Sequence, residues 1–214
     1  MIPLRRTGEP RVLRENGIKW RDELLAERAR EPGRRPRSAR YAHEEVKTAL
    51  GAMSRGKCCY CEAKPDELEV DHYVEVAEDA GRSFVWENLY LACKLCQRKA
   101  TNEEIPVSDC LDPCDEKVAP GEHLDFTDEQ IRARDESALG DRTIRKYRLE
   151  SGLHDHRRMK QLNLFLRELV AIQAKALEEG RKVSEREWTE LRRYRGRGHP
   201  YSLMFDRCLE KLGQ

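Results

Sequence analysis

Two Cys-x-x-Cys pairs constrain this chain more than any other feature of its sequence. Cys58 pairs with Cys61 and Cys93 with Cys96, and 31 residues separate the two pairs. Each pair presents two thiolates from one tight turn, so two pairs supply the four soft ligands of a tetrahedral zinc site. The opening residues contain no apolar leader, which favours metal binding over disulfides for cysteines in this pattern. We therefore expect a structural Zn²⁺ held by the two pairs, in which Cys59 takes no part.

The segment between the two pairs contains the residue types of a hydrolytic site. In the stretch "LEVDHYVEV", apolar and β-branched positions flank Asp71 and His72, which predicts a β-strand. A carboxylate binds hard divalent cations, and a neutral imidazole takes a proton from water. An Asp-His pair taken by itself is more often a surface or capping contact. Adjacency alone therefore leaves both interpretations open.

The order of motifs along the chain resembles that of the HNH endonuclease family. A CxxC pair is followed by Asp-His, by Trp-x-Asn-Leu, and by a second CxxC pair with a lysine three residues later. The residues that carry the resemblance are Cys58, Cys61, Asp71, His72, Trp86, Asn88, Leu89, Cys93, Cys96 and Lys99. The resemblance implies a ββα-metal module stapled by a four-cysteine zinc.

The resemblance also implies a role for individual residues. His72 would be the general base that activates water, and Asp71 would bind a catalytic Mg²⁺ or Mn²⁺ at the scissile phosphate. Asn88 would either orient the loop of the histidine or join the metal shell, which Gln97 would complete. Gln97 stands where the family usually has Asn or His, and Glu75 stands where it usually has Pro. We expect Glu75 to be an ordinary exposed residue.

Four further stretches, within residues 45 to 160, resemble a narrower group within the family. They are "ALGAMSRGKCCYCE", "WENLYLACKLCQRKATNEEIPV", "LDPCDEKVAPGEHLDF" and "TIRKYRLESGLHDHRR". They are similar to the HNH subunits found beside ATPases in Septu-type and retron-linked anti-phage systems. The resemblance implies a nuclease effector that cleaves DNA or, as an alternative, RNA, together with an ATPase subunit. The alternatives are a zinc-stapled module that binds nucleic acid or the ATPase through a weakened or inactive metal site, and an adaptor that holds the ATPase.

The distribution of charge is consistent with a nucleic-acid partner. Residues 1–57 carry 15 Lys and Arg against 8 Asp and Glu, residues 58–140 carry 8 against 21, and residues 141–214 carry 18 against 11. Basic flanks suit phosphate backbones, and an acidic middle suits hard cations. It is equally open that the arginines pair with the acidic middle or with a protein partner. The candidate nucleic-acid contacts are Lys99, Arg34, Arg35, Arg37, Arg40, Arg192, Arg193, Arg195 and Arg197, with Tyr194 and Tyr201 able to stack on bases.

The sequence predicts an α+β protein, mostly α, in which the HNH module is set between helical regions. We expect an N-terminal helical arm (1–56), the module (57–104), and an irregular linker over 105–141 followed by C-terminal helices to residue 214. A long helix from about His154 to Glu179 should bury one apolar face, formed by Leu162, Phe165, Leu166, Leu169, Val170, Ile172 and Leu177. Helices are predicted at about Ile18–Arg30, Ala42–Met53, Thr143–Leu149, His154–Glu179, after Ser184, and at Tyr201–Leu212. The first should present Ile18, Leu24, Leu25 and Ala29 as its apolar face, and the helix after Ser184 should begin with a capping box that Glu187 completes. No stretch approaches the roughly 20 apolar residues of a membrane span, so we expect a cytoplasmic protein without membrane contact.

Overall fold

A computed structural model describes all of residues 1–214, and the segment before the first cysteine pair is mostly helical. The chain reaches the first cysteine pair through α1 (Arg11–Arg30), α2 (Ser38–Tyr41) and α3 (Glu44–Ser54). The first helix begins seven residues before the predicted start at Ile18. Its apolar face also differs from the prediction, because Leu13, Gly17 and Leu24 are buried, whereas Ile18 and Leu25 are exposed.

The cysteine pairs enclose a small antiparallel hairpin. Strand β1 (Glu69–His72) pairs with β2 (Leu89–Ala92), with Asp71 opposite Tyr90. The predicted strand is therefore present, and it ends at the histidine. The helical element after the second pair is one 3₁₀ turn, Cys96–Arg98, because Lys99 returns to extended geometry with ψ 155°.

A second hairpin and most of the long helices follow. After α4 (Pro120–His123), β3 (Leu124–Thr127) pairs with β4 (Gln130–Ala133). The chain then forms α5 (Ala138–Lys146), α6 (Gly152–Glu178), α7 (Glu185–Arg192) and α8 (Ser202–Lys211). The prediction of irregular chain over 105–141 is wrong for this hairpin. Its turn contains no glycine, and Asp128 takes the left-handed conformation there with φ 53°.

Two further predictions concern the helices near the C-terminus. The capping box at the start of α7 is confirmed, since the Ser184 side chain accepts from Glu187 N and the Glu187 side chain accepts from Ser184 N. The predicted apolar face of α6 is only partly correct. Its buried side chains include Leu162, Phe165 and Leu169. Three other residues of the predicted face are exposed: Leu166, Val170 and Leu177.

One hydrophobic core runs through the molecule. Its 41 buried residues extend from Met1 to Leu209 and include side chains from the N-terminal helices, the cysteine module and the C-terminal helices. The proposed boundaries at residues 56 and 104 stay a prediction, and the core crosses both of them. The α+β class with mostly helical content is confirmed. None of the helices combines the length and the apolarity of a membrane span.

Candidate metal centre and hydrolytic cleft

The four cysteine side chains of the two CxxC pairs converge on one point. Their Sγ atoms all lie within 4.8 Å of one another, and all four residues are buried. The Sγ atoms of Cys61 and Cys93 are 3.7 Å apart, close to the roughly 3.8 Å edge of a tetrahedron with Zn–S bonds of about 2.3 Å. None of the four forms a disulfide. The donor set therefore fits zinc, with no position left for water.

The first CxxC turn is fastened to the hairpin by backbone hydrogen bonds. Cys58 N donates to Ala63 O at 2.8 Å, and Cys59 N donates to Leu91 O at 2.9 Å. The second bond ties the turn to β2, so the metal cluster and the strand pair form one unit. The Cys59 thiol is buried but lies outside the metal cluster, as expected.

The zinc cluster has a neighbour that the sequence pattern did not indicate. His154, in the first turn of α6, is buried, and its Nε2 lies 3.7 Å from Cys96 Sγ. Burial lowers the pKa of His154 to about 4. A zinc-bound thiolate only accepts hydrogen bonds, so with zinc in the cluster Nε2–H would donate to the sulfur. This contact spans 58 residues of sequence, and no local spacing rule predicts it.

His72 is held in one orientation at the end of β1. Its Nε2 donates to the carbonyl oxygen of Ser83 at 3.0 Å. Because a carbonyl only accepts, the neutral ring carries its proton on Nε2, and Nδ1 keeps a free lone pair. Burial lowers the pKa of His72 below its ordinary value. The ring also packs on Tyr41, with centroids 4.6 Å apart, so its orientation is fixed from two sides.

Asp71 precedes the histidine and already has two donors on one carboxylate oxygen. Tyr60 OH donates to Asp71 Oδ2 at 2.8 Å, and Lys99 Nζ donates to the same atom at 2.7 Å. The Lys99 ammonium also donates to the His72 carbonyl at 2.5 Å, and its side chain is 6% exposed. Lys99 was expected to contact nucleic acid. It instead places a positive charge on the carboxylate that we assigned to the metal.

Asn88 stabilises the loop after β1. Its Oδ1 accepts from Val74 N at 2.7 Å, and its Nδ2 donates to the carbonyls of Val74 and Arg82, each at 3.1 Å. The side chain is completely buried. These contacts correct the assignment of Asn88 to the metal shell, because its oxygen already accepts a backbone N–H inside the core. They fit the other expected role, that of orienting the loop.

Gln97 and Glu75 both line the cleft of about 580 Å³ that contains Asp71 and His72. Gln97 Nε2 donates to Ala92 O at 3.2 Å, and its Oε1 accepts no hydrogen bond from the protein. Glu75 was expected to be an ordinary exposed residue. It is half-buried, and its Oε1 accepts from the fully buried Lys146 ammonium at 3.1 Å. The position that departs from the family pattern thus contributes a carboxylate to the cleft.

The N-terminal arginines fall into two groups. Arg34 and Arg37 both pair with Glu27, and Arg40 pairs with Glu23 at 2.7 Å. In contrast, Arg35 forms no ion pair and lines the cleft together with Arg28 and Tyr41. Arg28 was not a candidate from the sequence. Its NH1 donates to the carbonyl of Arg34 at 3.0 Å, and no carboxylate neutralises it.

Most of the C-terminal candidates are occupied within the chain. Arg192 pairs with Glu185, Arg193 with Glu168 at 2.7 Å, and Arg195 with Asp206 at 3.9 Å. These pairs favour the interpretation that the arginines neutralise carboxylates of the same chain. Arg197 has no carboxylate partner, but it lines a different pocket from His72.

The two C-terminal tyrosines do not form a stacking platform. Tyr194 and Tyr201 are both buried, and the Tyr194 ring packs against Phe165 and Phe205. The expectation that they stack on bases is therefore wrong.

A comparison of the sequence with known protein families agrees with the geometry of the site. Residues 58–103, from the first CxxC turn to beyond Lys99, match the family model described as HNH endonuclease. This segment is an HNH domain. The matched residues include both cysteine pairs, Asp71, His72 and Asn88. The HNH domain therefore contains the zinc cluster and the part of the cleft that Asp71 and His72 form.

Two curated relatives extend the similarity beyond the HNH domain. The chain is 26% identical over 143 residues to the Septu protein PtuB of Bacillus mycoides (strain KBAB4), covering 51% of this chain and 48% of that protein. It is 25% identical over 139 residues to the Septu protein PtuB of Bacillus thuringiensis, covering 63% of this chain and 50% of that protein. The chain thus matches about half the length of these relatives.

Proposed function

We propose that this chain is a metal-dependent endonuclease that hydrolyses phosphodiester bonds in DNA, as the nuclease of an anti-phage complex with an ATPase subunit. The observation that carries the proposal is the state of His72. Its Nε2–H is fixed on Ser83 O, which leaves Nδ1 as a free base in a cleft that also holds Asp71. Similarity to proteins named Septu protein PtuB supports the defence role.

The chemistry assigned to His72 follows from its surroundings. Burial disfavours the imidazolium, so the ring is neutral near pH 7 and able to take a proton from a water molecule. The Ser83 carbonyl stabilises the proton already on Nε2, including in the imidazolium that forms when Nδ1 is protonated. Asn88 contributes indirectly, because its three hydrogen bonds hold the loop between His72 and Ser83 in place.

The oxygen donors of the cleft fit a hard divalent cation. Asp71, Glu75 and Gln97 offer carboxylate and amide oxygens, which are the ligands that Mg²⁺ and Mn²⁺ prefer. Such an ion would neutralise the charge that develops on the phosphate and on the leaving oxygen. Arg28 and Arg35 line the same cleft without carboxylate partners, so they are suited to hold phosphates on either side of the scissile bond.

A second candidate function is a nucleic-acid-binding module without catalysis. The observation that favours it is Lys99, whose ammonium contacts Asp71 Oδ2 and the His72 carbonyl. A cation at Asp71 would have to displace this lysine or share the carboxylate with it. The arginines of the cleft would then bind phosphates with no hydrolytic step.

One cleavage experiment separates the two functions. Zinc-loaded protein is incubated with supercoiled plasmid, single-stranded DNA or RNA in Mg²⁺, Mn²⁺ or EDTA, alone and with the product of the adjacent gene. Endonuclease function predicts divalent-dependent DNA nicking that is lost in Asp71→Asn and retained in the exposed control Asp66→Asn. DNA that is bound but left intact under every condition would favour the binding module.

Titration with Mn²⁺ tests whether Lys99 and a divalent cation compete for Asp71. Removing the Lys99 ammonium should raise Mn²⁺ affinity about tenfold, which is about 1.4 kcal/mol, because one positive charge leaves the carboxylate. Lys94→Ala is the matched control, since Lys94 is exposed and pairs with Glu67. If Lys99→Ala and wild type bind no Mn²⁺, the assigned cation site is absent.

A further inference from the structure

Helix α6 carries an apolar stripe that the fold leaves uncovered. Of the nine large hydrophobic side chains exposed on the molecule, six lie on this helix. Four of them lie on one side: Met159, Leu166, Val170 and Leu177 are 38%, 42%, 60% and 80% exposed. Scattered exposed apolar residues need no explanation, but these four are aligned along the helix.

The alignment follows the spacing of a coiled-coil seam. The positions are separated alternately by four and three residues, and we call them the α6 seam: Met159, Asn163, Leu166, Val170, Gln173 and Leu177. At about 100° per residue these positions fall within an arc of about 80° on the helix surface. Their 4-3 repeat is the pattern with which one helix packs into another.

The α6 seam is separate from the face that α6 uses within the fold. The buried face contains Leu162, Phe165 and Leu169, and the Phe165 ring contacts Tyr194 and Phe205. A helix docked on the seam would therefore leave this packing intact. It would also lie on the helix whose first turn places His154 against the zinc cluster.

The charges beside the seam indicate what kind of helix fits. Lys160 and Arg167 are exposed one position after Met159 and Leu166, on the side of the seam away from the core, and neither forms an ion pair. The only carboxylate of the chain between residues 156 and 177 is Glu168. It already accepts from Arg193 at 2.7 Å and from Tyr194 at 2.9 Å. Glu178, which follows Leu177 at the C-terminal end of the seam, is the one carboxylate on this flank. The flank is therefore basic at Lys160 and Arg167, with a single carboxylate at its end.

We propose that the α6 seam binds an amphipathic helix of a different protein, with apolar residues in a 4-3 repeat and acidic residues along its flank. A second copy of this chain fits less well, because its own seam brings two cations, Lys160 and Arg167, and only one free carboxylate, Glu178. A lipid surface also fits less well, because the stripe contains Asn163 and Gln173. Amides are costly in an apolar phase, whereas an Asn in a helix seam pairs with a polar residue of the partner.

The test uses two labelled synthetic helices of about three heptads as probes. Both carry Leu and Val in the seam positions and one Asn to face Asn163. The acidic probe has Glu on its flanks and the basic probe has Lys. By fluorescence anisotropy with the full chain, the acidic probe should bind at least about tenfold more tightly than the basic probe at low salt.

Matched variants locate the binding on the helix. Leu166→Glu should weaken binding of the acidic probe about tenfold or more, while Leu164→Glu, which is exposed on the far side of the helix, should change it less than about twofold. Both are surface changes, and far-UV circular dichroism and zinc content should match wild type. The double variant Lys160→Glu with Arg167→Glu should reverse the preference, so that the basic probe binds more tightly.

Four results would overturn the proposal. The first three are that neither probe binds, that both probes bind with equal affinity, and that Leu166→Glu and Leu164→Glu have the same effect on binding. The fourth is a different occupant, shown by a concentration-dependent dimer or by binding to anionic phosphatidylserine vesicles that Leu166→Glu abolishes, without preference for the acidic probe. None of these measurements depends on nuclease activity.

Discussion

The zinc cluster and the cleft around His72 lie side by side in one domain but are built in opposite ways. All four ligands of the cluster are buried and come from two short motifs. The cleft is open, and its residues come from β1, from the loop after β1, from the turn after Cys96 and from the N-terminal segment around Arg35. The cluster is a closed structural unit. The shape of the cleft, in contrast, depends on how that unit positions segments that are distant in the sequence.

This difference determines what a substitution in each region does. A ligand of the closed cluster contributes mainly to folding, since a structural zinc in a small domain supplies folding free energy directly. A residue of the cleft contributes mainly to chemistry or binding, since its neighbours remain packed without it. The predictions below test that division, beginning with the largest effect.

Loss of one zinc ligand should unfold the module. Cys93→Ser should lose stoichiometric zinc and the cooperative unfolding transition, because a structural zinc supplies about 10 kcal/mol or more, comparable to the total stability of a domain. Zinc analysis and urea denaturation followed by circular dichroism measure both. Cys208→Ser, at a half-buried cysteine outside the cluster, should retain the metal and the transition. A Cys93→Ser protein that stays folded with full zinc would contradict the role of the cluster.

Asn88 tests the boundary between structural residues and residues of the cleft. Asn88→Ala should lower the free energy of unfolding by about 3 kcal/mol, because it leaves the Val74 N–H and the Val74 carbonyl unpaired in the core, whereas the Arg82 carbonyl still accepts from Val85 N. Asn16→Ala removes one side-chain bond on α1 and should cost less than about 1 kcal/mol. Urea denaturation compares the two. Equal, small losses would show that the loop does not depend on Asn88.

The pH dependence of cleavage should reflect His72. Burial holds the pKa of this imidazole below its ordinary value of about 6.5, and the base works only when it is neutral. The single-turnover rate should therefore be level above about pH 6.5 and fall by about tenfold per pH unit once the pH drops below the His72 pKa. A midpoint above pH 7 would mean that another group controls the rate.

The smallest expected effect is on DNA binding, which should weaken when an unpaired arginine is replaced but not when a paired arginine is replaced. Arg35 lines the cleft without a carboxylate partner, whereas Arg193 is neutralised by Glu168. Arg35→Ala should weaken binding of a labelled DNA duplex in EDTA about fivefold and reduce the salt slope by about one. Arg193→Ala should leave both nearly unchanged. If the two variants weaken binding equally, the pairing of Arg193 does not matter for binding.

The sequence predicted the parts of the structure that depend on local spacing. The two CxxC pairs, the strand that contains Asp71 and His72, and the capping box at Ser184 each follow from residues a few positions apart. The contacts of Lys99 with Asp71, of Lys146 with Glu75 and of His154 with Cys96 join residues 28, 71 and 58 positions apart. They depend on how the elements pack, and no local pattern encodes them.

The same limit explains the errors in the helices and in the second hairpin. Periodicity placed Leu166, Val170 and Leu177 on an apolar face of α6, but it does not say which protein covers that face. The strands β3 and β4 have four residues each, too few for a clear alternation. Their turn uses Asp128 in place of the glycine that usually marks a hairpin.

The central claim is that the four cysteines stabilise the domain and that the chemistry belongs to Asp71 and His72, which lie between the two cysteine pairs. The most direct measurement compares bound zinc and plasmid nicking in the same preparation of His72→Ala. The account predicts one equivalent of zinc, an unchanged unfolding transition, and a nicking rate lowered by about 10²-fold or more, the usual contribution of a general base. A His72→Ala protein that keeps its zinc and nicks plasmid at the wild-type rate would contradict the account.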